Sequence, residues 1–156
     1  MHIRLLAVGD RQPAWVDDAC NIYIGRLPRA WKFRIDCIAT ARRAKNQPAE
    51  NAVQAEGEQI LSRINSNEQL VLLDEHGSQY SSQDLATQLA AWQADGRDLC
   101  FVIGGPDGVS SACRQRANSS WSLSKLTLPH GLARVLCLEQ LYRAWTLLSG
   151  HPYHRD

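Results

Sequence analysis

The chain has 156 residues, enough to bury a substantial core and few enough to need only one domain, taken here as residues 1–156. Its 17 Lys and Arg against 16 Asp and Glu leave a formal net charge of +1, which excludes a global field driving it onto nucleic acid or an anionic membrane. The five cysteines are odd in number, dispersed, and mostly set inside apolar runs without a C-x-x-C pair, so they read as buried reduced thiols and not as a disulfide framework or zinc site.

Residues 2–8 are rich in apolar side chains and stop at Gly9-Asp10, which predicts a first strand. The opening MHIRLLAVGD has too short an apolar run for a signal peptide, and no later segment reaches the length of about eighteen apolar residues that a membrane span needs. The expectation is a cytosolic protein with no membrane partner. After Pro13, the spacing of Trp15, Val16, Ala19, Ile22 and Tyr23 predicts a helix. Residues 33–38 alternate with period two, as in a strand with one wetter face at a sheet edge. Residues 41–47 hold three cations and no apolar anchor, so a mobile loop is expected there. Pro48 can start the next helix, with Val53, Ile60, Leu61 and Ile64 inside and Glu50, Glu56 and Glu58 outside.

Leu70-Val71-Leu72-Leu73 is a continuous apolar run ending in Asp74-Glu75, which predicts a central strand covered on both faces with a polar mouth. Ser81 or Ser82 can cap a helix carrying Leu85, Leu89 and Trp92, closed by Asp95-Gly96. A strand at residues 99–103 then runs into Gly104-Gly105-Pro106-Asp107-Gly108, followed by a helix over residues 111–117. Leu123, Leu126 and Leu128 form a strand-like segment cut by Pro129-His130-Gly131, and Leu132, Val135, Leu136, Leu138, Leu141 and Trp145 recur at helical spacing beyond it. Strand and helix alternate about five times, so the predicted fold class is α/β, a parallel-rich sheet with helices on both faces. In such a sheet, ligands bind beyond the carboxyl ends of the strands, so the glycine turn and the proline loop are expected to close on one ligand.

Several motifs lead nowhere further. Gly104-Gly105-x-x-Gly108 lacks the spacing of a dinucleotide fingerprint and sits in the fourth strand unit, so a tight strand-to-helix turn is the simpler account of the residues. No phosphate-loop motif and no nucleophile elbow is present. His151-Pro152-Tyr153-His154-Arg155-Asp156 reads either as a frayed end or as a nucleic-acid contact, with a ring to stack and cations for phosphate. No metal is expected there, because Pro152 prevents a regular helix and no acidic or thiolate cluster accompanies the imidazoles. Lys125, Arg134 and Arg143 flank or follow the proline loop, and each also reads as a solvated or ion-paired cation.

The blocks Val71-Leu72-Leu73-Asp74, Ile103-Gly104-Gly105-Pro106-Asp107-Gly108, Ser122-Leu123-Ser124-Lys125-Leu126-Thr127-Leu128-Pro129-His130, Glu139-Gln140-Leu141-Tyr142-Arg143-Ala144 and Tyr153-His154-Arg155 are ordered along the chain. Ala7-Val8-Gly9 and Glu56-Gly57-Glu58 join them, and together they closely resemble the ribosomal RNA large subunit methyltransferase H family of the SPOUT superfamily. The resemblance implies an α/β fold with a trefoil knot in the C-terminal half, S-adenosylmethionine as cofactor, and a homodimer. It also implies methylation of nitrogen-3 of a pseudouridine in 23S ribosomal RNA within the assembled ribosome. Carried over by position, the cofactor contacts are Leu73, Gly104, Gly105, Leu123, Ser124, Lys125, Leu126, Thr127 and Leu128. Gly131 departs from the pattern, which has a bulkier residue after Pro-His.

Nitrogen-3 carries a weakly acidic proton, so His130 and His154 are the candidates for removing it, directly or through a water. Tyr153, His154 and Arg155 are the expected RNA contacts, with Arg134 beside the loop. The helix from Leu132 to Leu148 is apolar around more than one stripe, consistent with a dimer contact. A knotted enzyme acting on transfer RNA and a ribosome-binding assembly factor without activity are the competing readings.

Overall fold

The computed structural model describes residues 1–154. Five strands, β1 (Ile3–Val8), β2 (Arg34–Ile38), β3 (Gln69–Gln79), β4 (Leu99–Ile103) and β5 (Ser119–Ser122), form one sheet in the order β2-β1-β4-β3-β5. Every pairing is parallel. Between and after them lie α1 (Ala14–Arg26), α2 (Ala49–Ser62), α3 (Ser82–Asp95), α4 (Ser111–Arg116) and α5 (His130–Ser149). The expected α/β class is observed, with β2 at the edge as its alternation indicates.

Strand periodicity divides the interior into two cores. Ile3, Leu5 and Ala7 of β1, with Leu99, Phe101 and Ile103 of β4, face α1, α3 and α5, where they meet Val16, Leu89, Trp92, Leu138 and Leu141. Leu6 and Val8, with Leu72, Cys100 and Val102, face the opposite layer and meet Ile60 of α2 and Cys113 of α4. β1 and β4 are therefore buried on both sides, which is why β4 reads as an unbroken apolar run and β1 as one broken only by Arg4, itself buried and paired with Glu68 and Asp36. Ser81 caps α3 in a reciprocal box, its Oγ accepting from the Asp84 N–H at 3.1 Å while the Asp84 carboxylate accepts from the Ser81 N–H at 3.1 Å. Gly96 and Gly150 end α3 and α5 in the left-handed region, as their place after the last apolar residue suggests.

Four expectations need correction. The strand-like segment at Leu123, Leu126 and Leu128 is a loop, and the strand is the four residues before it. Local bonds compete with a ladder there: Ser122 Oγ donates to the Ser124 carbonyl at 2.9 Å and Ser124 Oγ accepts from the Leu126 N–H at 2.9 Å. β3 is longer than its apolar run, continuing past Leu73 after an irregularity in its pairing with β5. Gly77 permits this, since a Cβ would lie 2.7 Å from the Ser120 carbonyl carbon. Glu56 is inside, 2% exposed, where helical periodicity alone placed it outside. It is held there by Arg43, which also pins the segment expected to be mobile.

Candidate functional site

The carboxyl ends of β1, β4 and β3 open into one cleft of about 890 Å³. The strand order reverses here, because from β1 the chain proceeds to β2 on one side and to β3 and β4 on the other. Loops leaving adjacent strands consequently diverge and leave a crevice. Val8 to Gln12 line it after β1, Leu73 to His76 along β3, Ile103 to Val109 after β4, and Leu123, Ser124, Leu126, Thr127 and Leu128 after β5, with His130 opening α5.

Most of the cofactor residues expected by resemblance meet here. Leu73, Gly104, Gly105, Leu123, Ser124, Leu126, Thr127 and Leu128 all line the cleft, while Lys125 is exposed and is not among the lining residues. The glycine turn is closed by the Gly108 N–H donating to the Gly105 carbonyl at 3.1 Å. Among the described residues, positive φ falls at Gly108 (+83°) and not at Gly104 or Gly105. The requirement at those two positions is close packing. A Cβ on Gly104 would lie 2.6 Å from Val109 Cγ1, and one on Gly105 would lie 2.6 Å from Glu56 Oε1. Across the cleft, Thr127 Oγ1 donates to Glu75 Oε2 at 3.2 Å, tying the loop after β5 to the extension of β3. Asp74 at the mouth is ion-paired with Arg114 of α4.

His130 lines the cleft with its Nε2 buried and without a hydrogen-bond partner in the protein. Burial, reinforced by the Arg134 charge and only weakly opposed by a hydrogen bond with the Gly104 backbone, pulls its pKa down from 6.5 to about 4. The imidazole is thus neutral at physiological pH and accepts or donates a hydrogen bond without carrying charge. A folded-state pKa below the unfolded value means that the unfolded chain takes up a proton first as pH falls. Stability from this group is complete above about pH 6.5 and is lost progressively towards pH 4. Urea midpoints measured across that window should fall more steeply for the intact chain than for a His130→Gln variant. Parallel curves would show that His130 is not held neutral by the fold.

The remaining candidates lie elsewhere. Arg134 is buried, 3% exposed, with Nη2 donating to the Gly9 carbonyl and Nη1 3.6 Å from Cys37 Sγ. It props the floor of the cleft behind β1, and the expectation of a surface RNA contact at this residue is corrected. Tyr153 folds back on α5, its hydroxyl donating to Glu139 Oε1 at 3.1 Å and its ring 4.5 Å from that of Tyr142. His154 Nδ1 lies 3.3 Å from Thr146 Oγ1. Neither lines the cleft of its own chain, and Arg155 lies outside the described residues. Sequence reasoning missed Arg11, Thr40, His76 and Arg114 as lining residues. The polar mouth after Leu73 signalled only the β3 side.

The arrangement offers a large cleft whose lining mixes Leu73, Leu126 and Leu128 with charged side chains such as Asp10, Arg11 and Arg114, and a turn exposing backbone, which suits an amphipathic ligand held partly by main chain. Comparison with known proteins gives the same direction. A family described as predicted SPOUT methyltransferase matches residues 1–154. The chain is 47% identical over 156 residues to ribosomal RNA large subunit methyltransferase H of Hahella chejuensis, with the whole of both chains covered. It is 49% identical over 158 residues to the protein of that name from Teredinibacter turnerae, and 46% identical over 155 residues to that from Methylococcus capsulatus, in each case with 99% of this chain and all of the relative covered.

Proposed function

The chain belongs to the SPOUT methyltransferase family, and on that premise we propose that it methylates nitrogen-3 of a pseudouridine in 23S ribosomal RNA, acting on the assembled ribosome with S-adenosylmethionine as methyl donor. The observation that carries the reading is the convergence of the glycine turn, Leu73 and the 123–128 loop on one cleft at the carboxyl ends of the strands. The residues fit the cofactor. Leu73, Leu126 and Leu128 give an apolar wall for adenine, and the backbone of Gly104, Gly105 and the 123–128 loop gives donors and acceptors for its polar edge and the ribose. Family membership implies a trefoil knot in the C-terminal half, a threading that would keep the 123–128 loop facing the glycine turn.

The bound cofactor supplies an activated methyl group on a sulfonium, so the protein's task is to bring the acceptor nitrogen in line with it and manage one proton. His130 contributes a neutral ring to the cleft wall, with its Nε2 buried and unpaired in the protein. At a pKa of about 4 it is too weak a base to keep a proton taken from nitrogen-3, so its part is to hold the Gly104 backbone through their hydrogen bond. The proton is assigned instead to His154, serving a neighbouring subunit's cleft. Tyr153 and His154 would stack on and hold the displaced nucleotide, with Arg155 at a phosphate.

That division of labour requires a homodimer. Leu132 and Leu148 on α5 are 40% and 43% exposed, and Trp15 and Ile22, seven residues apart on one face of α1, are 54% and 55% exposed. α1 packs on α5, so these apolar side chains belong to one helical layer that a second copy of the chain would cover. Sedimentation at micromolar concentration should give twice the chain mass, and Ile22→Asp with Leu148→Glu should shift it to a monomer; a monomeric wild-type chain would contradict the dimer. Among the described residues, no helix is long and apolar enough to cross a membrane. A cytoplasmic location is part of the proposal, since ribosomes are the substrate. Nucleoside analysis of 23S RNA from cells with and without the gene tests the whole reading: N3-methylpseudouridine should be lost with the gene, and an unchanged nucleoside profile would reject it.

A further inference from the structure

Residues 41–47 have no apolar anchor, yet one side chain in them is spent entirely on neighbours. The Arg43 guanidinium donates through Nη1 to Glu56 Oε2 at 2.8 Å and to the Ala41 carbonyl at 2.8 Å, through Nη2 to Glu56 Oε1 at 3.2 Å, and through Nε to Asp107 Oδ2 at 3.0 Å. Glu56 is 2% exposed and also accepts from the Ala41 N–H at 2.9 Å. Its carboxylate occupies the space that a side chain on Gly105 would need. Asp107 belongs to the turn that lines the cleft. One cation thus ties three separate segments together: the basic stretch, α2, and the glycine turn. A buried carboxylate is costly unless paired, so Arg43 is the group that lets Glu56 sit beneath the turn. A planar guanidinium can serve two carboxylates at once, which an ammonium cannot do with the same geometry.

We propose that Arg43 is a positioning residue that sets the 104–108 turn for cofactor through Glu56 and Asp107, and that it couples this turn to the 41–47 segment. The proposal rests on the methyltransferase reading for the identity of the ligand, but the state of the turn is measurable without it. Asp107 is 43% exposed and can lose its charge without stranding a buried one, whereas Arg43→Ala leaves Glu56 uncompensated. Arg43→Ala should lower the melting temperature, while Asp107→Asn should leave it within about 2 °C. In the unliganded protein, both should speed amide exchange at Gly108 about tenfold with the β4 amides unchanged. Both should weaken S-adenosylmethionine binding about fivefold to tenfold by calorimetry, since a loosened turn must be ordered on binding. Arg43→Lys should restore only part of the affinity. The Arg43→Ala/Asp107→Asn double variant should bind no more weakly than Arg43→Ala alone, because both act through one network.

A purely structural role predicts affinity losses that follow stability, and so none in Asp107→Asn, whereas a direct contact of Asp107 with the ligand predicts a further loss in the double variant and unchanged exchange at Gly108 in Asp107→Asn. Unchanged exchange at the turn together with affinity within twofold in a folded Asp107→Asn protein would overturn the proposal. If the intact chain fails to bind S-adenosylmethionine, the methyltransferase reading falls by itself and the exchange measurement still decides whether Arg43 sets the turn.

Discussion

A chain lacking residues 153–156 should bind S-adenosylmethionine within about threefold of the intact affinity and leave ribosomes unmethylated. Reaching nitrogen-3 of a base within folded RNA requires unstacking the nucleotide, at a cost of a few kcal/mol that stacking and polar contacts from the enzyme must offset. Tyr153 and His154 offer such groups, and they pack on α5 outside the cleft of their own chain, so removing them leaves the walls of that cleft intact. The truncation does remove the packing of Tyr153 on Tyr142 and its place under Arg143, whose guanidinium carbon is 5.3 Å from the ring centroid. That loss should cost about 1 kcal/mol or somewhat more in stability, not the fold. Tyr153→Phe separates the two effects, since it keeps the ring and loses only the hydrogen bond to Glu139; it should retain most activity. Normal methylation by the truncated protein would show that the tail is dispensable, and loss of cofactor binding would place it in the cofactor site.

Replacing Gly104 by Val should lower cofactor affinity at least about 100-fold, or about 2.7 kcal/mol. The first carbon of the new side chain would fall 2.6 Å from Val109 Cγ1 and 3.1 Å from the Gly108 carbonyl, so the turn must open. Because Pro106 to Gly108 are exposed, it can open towards the cleft without disturbing β4, and the protein should stay folded. The displaced backbone then stands where the ligand's polar edge must be met. Gly104→Ala should give an intermediate loss. Calorimetry on a variant with an unchanged far-ultraviolet spectrum decides the matter, and wild-type affinity in folded Gly104→Val would remove this turn from the site.

The architecture was legible wherever a segment's burial matched its chemistry. β1 and β4 are covered on both faces and appear in the sequence as apolar runs, broken only by Arg4 in β1, and Ser81, Gly96 and Gly150 mark helix ends because unpaired backbone groups select those residue types. Legibility failed where side-chain polarity and location part company. Leu126 is apolar yet 74% exposed, in a loop held by serine hydroxyls, so hydropathy alone made it part of a strand. Glu56 is charged yet buried because Arg43, thirteen positions earlier, neutralises it, and no local pattern announces a pairing over that distance. The second half of β3 depends on Gly77 lying against the Ser120 backbone, a contact between strands that only the fold creates.

The site divides in the same way. Its walls at Leu73, the glycine turn and the 123–128 loop followed from strand ends and from the family's ordered motifs, whereas Arg11 and Arg114 enter only because β1 and α4 deliver them to the cleft. Arg134 shows the reverse. A cation two positions beyond Leu132 on a helix reads as solvated, but it points under β1 to the Gly9 carbonyl, and there its charge helps to hold His130 neutral.

The most direct test of the central claim is methyl transfer by the purified chain from S-adenosylmethionine labelled in the methyl group, presented with ribosomes from cells lacking the gene and, separately, with bulk transfer RNA. Digestion of the recovered 23S RNA to nucleosides should place the label in N3-methylpseudouridine, at no more than one methyl per ribosome, with none in the transfer RNA. Label in transfer RNA alone, in another nucleoside of 23S RNA, or nowhere at all would contradict the account.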